Sequence, residues 1–253
     1  MPTVTHTGFA LATPARVLST PEFLAAVEGL EPRIAVFDCD GTLWGGDAGS
    51  SFMWWTMDTG VLSAEKTAWL RERYELYKQG AVSEVQICGE MVQVYAGIPV
   101  GRMQEAAAVF FRERIEPHIF PEMRELVARL QQHGTDVWAV SSTNDWVIEE
   151  GVRRFGIAPD HVLSARVADH GGLVSTELVD VPTDEGKVTA LARVGITAPD
   201  AVFGNSIHDA AMLSIARCAF PVNPTPALLE RAAAEGWAVY WPEAMNASAG
   251  TSR

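Results

Sequence analysis

Asp38-Cys39-Asp40-Gly41-Thr42-Leu43 sets two carboxylates two residues apart, directly after the apolar run Ile34-Ala35-Val36-Phe37. Like charges this close repel unless a cation neutralises them or one carboxyl keeps its proton, so the pair suits cation-assisted or proton-transfer chemistry. Asp and Gly are also ordinary turn formers, and in isolation the hexapeptide reads better as a polar turn. What distinguishes it is its company. Ser141 ends a second apolar run, Asn205 and Asp209 follow a third, and Lys187 opens a helix after Thr183-Asp184-Glu185-Gly186. In an open α/β sheet, ligands sit outside the carboxyl ends of the strands, where these residues fall.

The elements that would hold them follow from periodicity. Ile34–Phe37, Val137-Trp138-Ala139-Val140 and Ala201-Val202-Phe203 read as buried strands. Residues 121–133 form an amphipathic helix closed by Gly134, residues 146–155 a helix stopped by Gly156, and residues 185–194 and 209–216 two more. Residues 21–30 read as a short helix with Thr20 as N-cap. Two β-rich runs between 162 and 181 flank Asp169-His170-Gly171-Gly172 and predict a hairpin, while residues 219–222 and 238–241 predict edge strands. Strands alternating with helices imply an α/β fold with a doubly wound parallel sheet. Between 47 and 118 the pattern turns wholly helical, with breaks at Gly60, Gly80 and Gly97-Ile98-Pro99, which predicts an inserted domain of four helices. The expected division is therefore a core of residues 1–46 and 119–242, a helical insertion of 47–118 and a frayed tail of 243–253.

Composition narrows the function. The chain has 253 residues, 48% of them hydrophobic and 20% charged, which is ample for a packed core. A net charge of −13 argues against binding nucleic acid or an anionic membrane, yet a divalent cation can still invert the field at one site. Cys39, Cys88 and Cys218 are too widely spaced for a metal pair or a disulfide framework, and reduced thiols suit a cytoplasmic protein. The opening Met1-Pro2-Thr3-Val4-Thr5-His6 lacks the basic start of a signal peptide.

The order DxDGTL, strand-Ser, GK and GNSxxD resembles the four motifs of the haloacid dehalogenase superfamily of phosphatases, over residues 34–222. The helical insertion resembles the cap of its phosphoserine-phosphatase-like branch. The resemblance implies a Rossmann-like core and a Mg²⁺-dependent phosphomonoesterase acting on a small-molecule phosphate ester. It implies Asp38 as the nucleophile that forms an aspartyl-phosphate, and Asp40 as general acid and base. Ser141, the turn at Ser142, Gly41 and Lys187 would bind phosphate. Asp38, Asp40 and Asp209 would hold Mg²⁺. Phosphoryl transfer needs little beyond an in-line nucleophile and neutralised oxygens, which this set can supply. Many members carry Asp where this chain has Asn205; an amide removes one negative charge and can act through a metal-bound water. His208 beside it reads as a helix-start residue, because Mg²⁺ prefers oxygen.

The insertion would choose the leaving group. Asp47 falls where the phosphoserine-phosphatase-like branch directs an acidic residue at the substrate amine. Trp44 and Asn144 are further substrate candidates, and Phe52, Trp54, Trp55 and Trp69 make the insertion rich in aromatics that attract cations. Arg71, Arg73 and Arg102 are candidates for a substrate carboxylate. Two other readings compete: phosphotransfer from Asp38 to an acceptor alcohol, and a catalytically weak binding or regulatory protein, towards which Asn205 leans. A monomer and a homodimer fit equally.

Overall fold

The computed structural model describes residues 14–245, so the reading of Met1–His6 and that of residues 246–253 lie outside the described residues. In chain order the elements are β1 (Val17–Leu18), α1 (Thr20–Glu28), β2 (Ile34–Phe37), α2 (Ala48–Asp58), α3 (Ala64–Lys78), α4 (Glu84–Gln93) and α5 (Val100–Phe110). After α5 the helix loosens into a π turn at Phe111–Ile115 and a 3₁₀ turn at Glu116–His118. There follow α6 (Pro121–Gln132), β3 (Asp136–Asn144), α7 (Asp145–Val152), β4 (Val162–His170), β5 (Leu173–Asp180), α8 (Glu185–Arg193) and β6 (Ala201–Gly204). The chain closes with α9 (Ala210–Ser214), β7 (Cys218–Pro221), α10 (Pro226–Glu235) and β8 (Val239–Tyr240).

Six strands form one sheet in the order β5-β4-β3-β2-β6-β7, parallel except for β5, which returns antiparallel as the predicted hairpin. The chain builds outward from β2 through β3 to β4, then crosses back to place β6 on the other side of β2. That reversal is a topological switch point, and Asp38 leaves the sheet there. Both faces are covered, which is why the strands are apolar throughout. Val36, Val140 and Val202 point into a cluster under α8, α9 and α10. Ala35, Phe37, Ala139 and Phe203 point the other way, towards α1, α6, α7 and the insertion. Phe37 stacks on Phe203 at 4.2 Å, packing β2 against β6 directly below the site.

Three expectations need correction. Ser19, not Thr20, caps α1: its N–H and hydroxyl both donate to Glu22, at 2.9 and 2.7 Å. The last strand meets the main sheet through a bridge between Val222 and Tyr240, and its ladder is with β1 in a two-stranded ribbon. Glu243 and Met245 belong to the core: the Glu243 N–H donates to Glu122 at 2.7 Å, and Met245 packs on the main cluster. Helix α10 was not expected from the sequence.

The insertion stands on two adjacent linkers. Gly45 N–H donates to the His118 carbonyl at 2.9 Å and Phe120 N–H to the Leu43 carbonyl at 3.0 Å, so the outgoing and returning chains are stitched together. Its far side leans on the hairpin, where Gly97 N–H donates to Val174 at 2.8 Å and Val100 N–H to Gly172 at 2.9 Å. Gly151 of α7 marks the tightest packing beneath the linkers. A methyl group there would lie 2.5 Å from Phe111 and 2.8 Å from Trp44. Overpacking of this kind costs about 1–3 kcal/mol. Gly151→Ala is therefore expected to lower the unfolding free energy by that amount, read as a lower urea midpoint at unchanged slope.

Candidate active site

Asp38 is the first residue beyond β2, its N–H still bonded to the Phe203 carbonyl at 2.9 Å, and its side chain is buried. Oδ1 accepts from Lys187 Nζ at 2.7 Å and Oδ2 from the Thr42 hydroxyl at 3.1 Å. Lys187 sits in the first turn of α8 and is 2% exposed. Its ammonium also donates to Asp209 Oδ1 at 2.6 Å and to the Val140 carbonyl at 3.2 Å. Burial opposes that charge, but Asp209 and Asp38 outweigh it and raise the Lys187 pKa, so the ammonium persists. Burial and the nearby Asp209 push Asp38 up to about 7, with Lys187 pulling the other way.

Asp40 is held more completely. Oδ1 accepts from Trp44 Nε1 at 2.7 Å and from the Ala48 N–H, at the start of α2, at 2.9 Å; Oδ2 accepts from the Thr143 hydroxyl at 2.7 Å. Burial, then the charge of Asp47, raises its pKa to about 6, while those three donors restrain the rise. A carboxyl group poised there can give a proton and take one back near neutral pH. Thr143→Val keeps the shape but removes one donor to a carboxylate, worth about 1.5–3 kcal/mol. We expect roughly tenfold lower turnover. The donor lowers the Asp40 pKa, so its loss should move the apparent pKa of the pH–rate profile upward.

Strand β3 delivers the remaining groups through an irregularity. Ser141 pairs with Ser164 and Asn144 with Ala165, leaving Ser142 and Thr143 as extra residues bulged towards the site. Ser141, Ser142, Thr143 and Asn144 all line one cavity of about 480 Å³ with Asp38, Asp40, Gly41, Lys187 and Asn205. Ser141 Oγ accepts from the Thr143 N–H at 3.1 Å. Asn144 caps α7 by accepting from the Val147 N–H at 3.0 Å. Gly41 has φ +75°, and a Cβ there would lie 1.9 Å from the Asn205 amide nitrogen, so only glycine lets Asn205 approach the turn.

Two assignments change. Asp209 is 1% exposed, and both its oxygens are engaged: Oδ1 by Lys187, Oδ2 by the N–H groups of Asn205 and Ser206 at 2.9 Å each. It pairs with Lys187 as a second counter-charge and is not among the described residues that line the cavity. Trp44 is wholly buried against Phe111 and serves Asp40, so it is not a substrate contact. The other tryptophans also miss the cavity, whose aromatic walls are Tyr74 and Tyr77. The arginines are spent elsewhere: Arg73 binds Glu90 at 2.7 and 2.8 Å, Arg71 lies over the Trp54 ring, and Arg102 is exposed. Asp47 does reach the cavity, as the N-cap of α2 bonded to Ser50. His208 lines it too, with Nδ1 2.8 Å from Asp184.

The donors beside Asp38 suit a hard cation, being carboxylate, amide and main-chain oxygen. Among the described residues no three Asp, Glu, His or Cys side chains converge on one point.

The family model for haloacid dehalogenase-like hydrolases matches residues 35–214. A histidinol-phosphatase of Neisseria meningitidis is 26% identical over 216 residues, spanning 82% of this chain and 97% of that protein. Among solved structures, a Bordetella pertussis protein of unknown function superposes with TM-score 0.71 at 25% identity, covering 82% of this chain and 97% of the other. A substrate-bound phosphoserine phosphatase shares the fold, with TM-score 0.57 at 17% identity over 83% and 92% of the two chains. Among the described residues, no helix is long and apolar enough to cross a membrane.

Proposed function

The chain belongs to the haloacid dehalogenase-like hydrolases, and we propose that it is a Mg²⁺-dependent phosphomonoesterase acting on a small metabolite through a phosphoenzyme on Asp38. The observation that carries this reading is the buried Asp38–Lys187–Asp209 chain ending at the cavity beside Ser141 and Asp40. The histidinol-phosphatase relative supports a metabolite-sized ester.

Lys187 and the Ser141 hydroxyl, with the main chain of the Ser142 bulge, draw the phosphoryl group to Asp38 and offset its charge. The Asp38 carboxylate attacks phosphorus and displaces the alcohol, forming an acyl phosphate. Asp40 gives its proton to the departing oxygen, then takes one from the water that attacks the phosphoenzyme. Inorganic phosphate leaves, and Asp38 returns to Lys187. Mg²⁺, held by Asp38 and the main chain at Asp40 with Asn205 alongside, would neutralise the transferred oxygens and template the in-line approach. Asn205 brings no charge, so the ion would bind more weakly than in a site with a further carboxylate.

The test is phosphate release from para-nitrophenyl phosphate. Turnover with Mg²⁺, lost on adding EDTA and restored by excess Mg²⁺, is expected. No release in any divalent ion would sink the reading, and full activity in EDTA would sink its metal dependence.

A further inference from the structure

The half of the cavity away from Lys187 is walled by the insertion, and its charge is lopsided. Glu84, the first residue of α4, points in with its side chain 17% exposed. Its Oε2 accepts from the Tyr77 hydroxyl and its Oε1 from the Cys88 thiol at 3.5 Å, which fix the carboxylate without neutralising it. Asp47 adds a second carboxylate on the same wall. Among the described residues lining the cavity, the basic side chains are Lys187 and His208. Lys187 is paired with Asp38 and Asp209 at the phosphoryl end of the cavity. His208 Nε2 stands 3.8 Å from Glu84, but its other nitrogen lies 2.8 Å from Asp184, so any charge it carries is shared. Among the described residues, no arginine lines the cavity.

We infer that this enzyme selects phosphate esters whose alcohol carries a cationic nitrogen and no carboxylate, with Glu84 reading that charge beside Tyr77. The inference rests on the phosphomonoesterase reading and specifies its leaving group. A partly desolvated carboxylate lacking a dedicated counter-ion gains most from a cation brought by the ligand. A tyrosine face favours the same ligand by about 0.5–2 kcal/mol. A carboxylate on the alcohol would meet Glu84 and Asp47 with no arginine to receive it, and like-charge contact is strongly disfavoured. A phosphoserine-like ester carries both charges and would be disfavoured by the same contact.

Three matched esters test it on the wild-type chain with Mg²⁺: O-phosphoethanolamine, propyl phosphate, which replaces the ammonium by a methyl, and O-phosphoserine, which adds a carboxylate. O-phosphoethanolamine is expected to show at least about tenfold higher kcat/KM than either, corresponding to about 1.4 kcal/mol of discrimination. Glu84→Gln keeps an acceptor for Tyr77 and should bring O-phosphoethanolamine and propyl phosphate within about twofold, mainly through KM. Equal or better use of O-phosphoserine or propyl phosphate by the wild type, with para-nitrophenyl phosphate still hydrolysed, overturns this inference alone. A Glu84→Gln variant that keeps the full preference overturns the role of Glu84. Failure with every ester, para-nitrophenyl phosphate included, overturns the phosphomonoesterase reading along with it.

Discussion

Asp38→Asn is expected to remove phosphate release almost completely, on the order of 10⁴-fold or more in kcat. The amide has the size of the carboxylate and can still accept from Lys187, but it cannot become the acyl phosphate. Positioning by Lys187 and Ser141 survives, so substrate should still bind. The expected pattern is therefore a lost kcat with a dissociation constant within about tenfold of wild type. Folding should survive as well, because Lys187 keeps Asp209 at 2.6 Å as its counter-charge. The check pairs a phosphate-release assay with a thermal melt and substrate titration by calorimetry. Residual turnover above about one per cent, in preparations free of deamidated protein, would transfer the nucleophile's role to water or another side chain.

What the sequence made visible follows the range of the forces involved. Strands such as Ile34–Phe37 and Ala201–Gly204 are buried on both faces and announce themselves as unbroken apolar runs. The helices of the insertion were legible because Gly60, Gly80 and Gly97, all at positive φ, interrupt a helical period. By contrast, β1 is two residues long and exists because β8, more than two hundred residues later, hydrogen-bonds to it. No local pattern encodes such a pairing. Helix α10 buries only Leu228 and Ala232, and its alanine-rich run between Pro226 and Glu235 was not read as a helix.

The site divides the same way. Asp38, Asp40, Ser141 and Lys187 stand at strand ends and a helix start, so motif order located them. Thr143 was passed over beside Ser141 and Ser142, although a bulge makes it a donor to Asp40. The period-2 alternation that makes strands readable fails at bulges. Trp44 looked like a binding residue because it is large and aromatic beside the motif; what matters is one indole N–H aimed at a carboxylate. Tyr77 and Glu84 lie on consecutive helices and meet only because the loop between α3 and α4 brings them together. Their pairing had no signature in spacing.

Lys187→Met should unsettle both catalysis and the fold. The ammonium is the counter-charge for two buried carboxylates, Asp38 and Asp209, whose side chains are 8% and 1% exposed. Deleting one partner of a buried ionic cluster costs about 3–5 kcal/mol, because the remaining charges stay desolvated. The sign of the pH dependence follows. Burial already raises Asp38, and without Lys187 it loses the group that pulls it down, so the folded variant binds more protons there than the unfolded chain. Stability is then present at low pH and lost as pH rises through the raised pKa. Asp38 already titrates near 7 in the intact protein, so the variant's deficit should be largest above pH 7 and shrink towards pH 5. Urea denaturation at pH 5 and pH 8 measures it. Adding Asp38→Asn to Lys187→Met removes one of the stranded charges and should recover part of the loss at pH 8, a non-additivity expected of groups sharing a counter-ion. Equal deficits at both pH values would mean that Lys187 holds the fold by packing its alkyl chain and not by its charge.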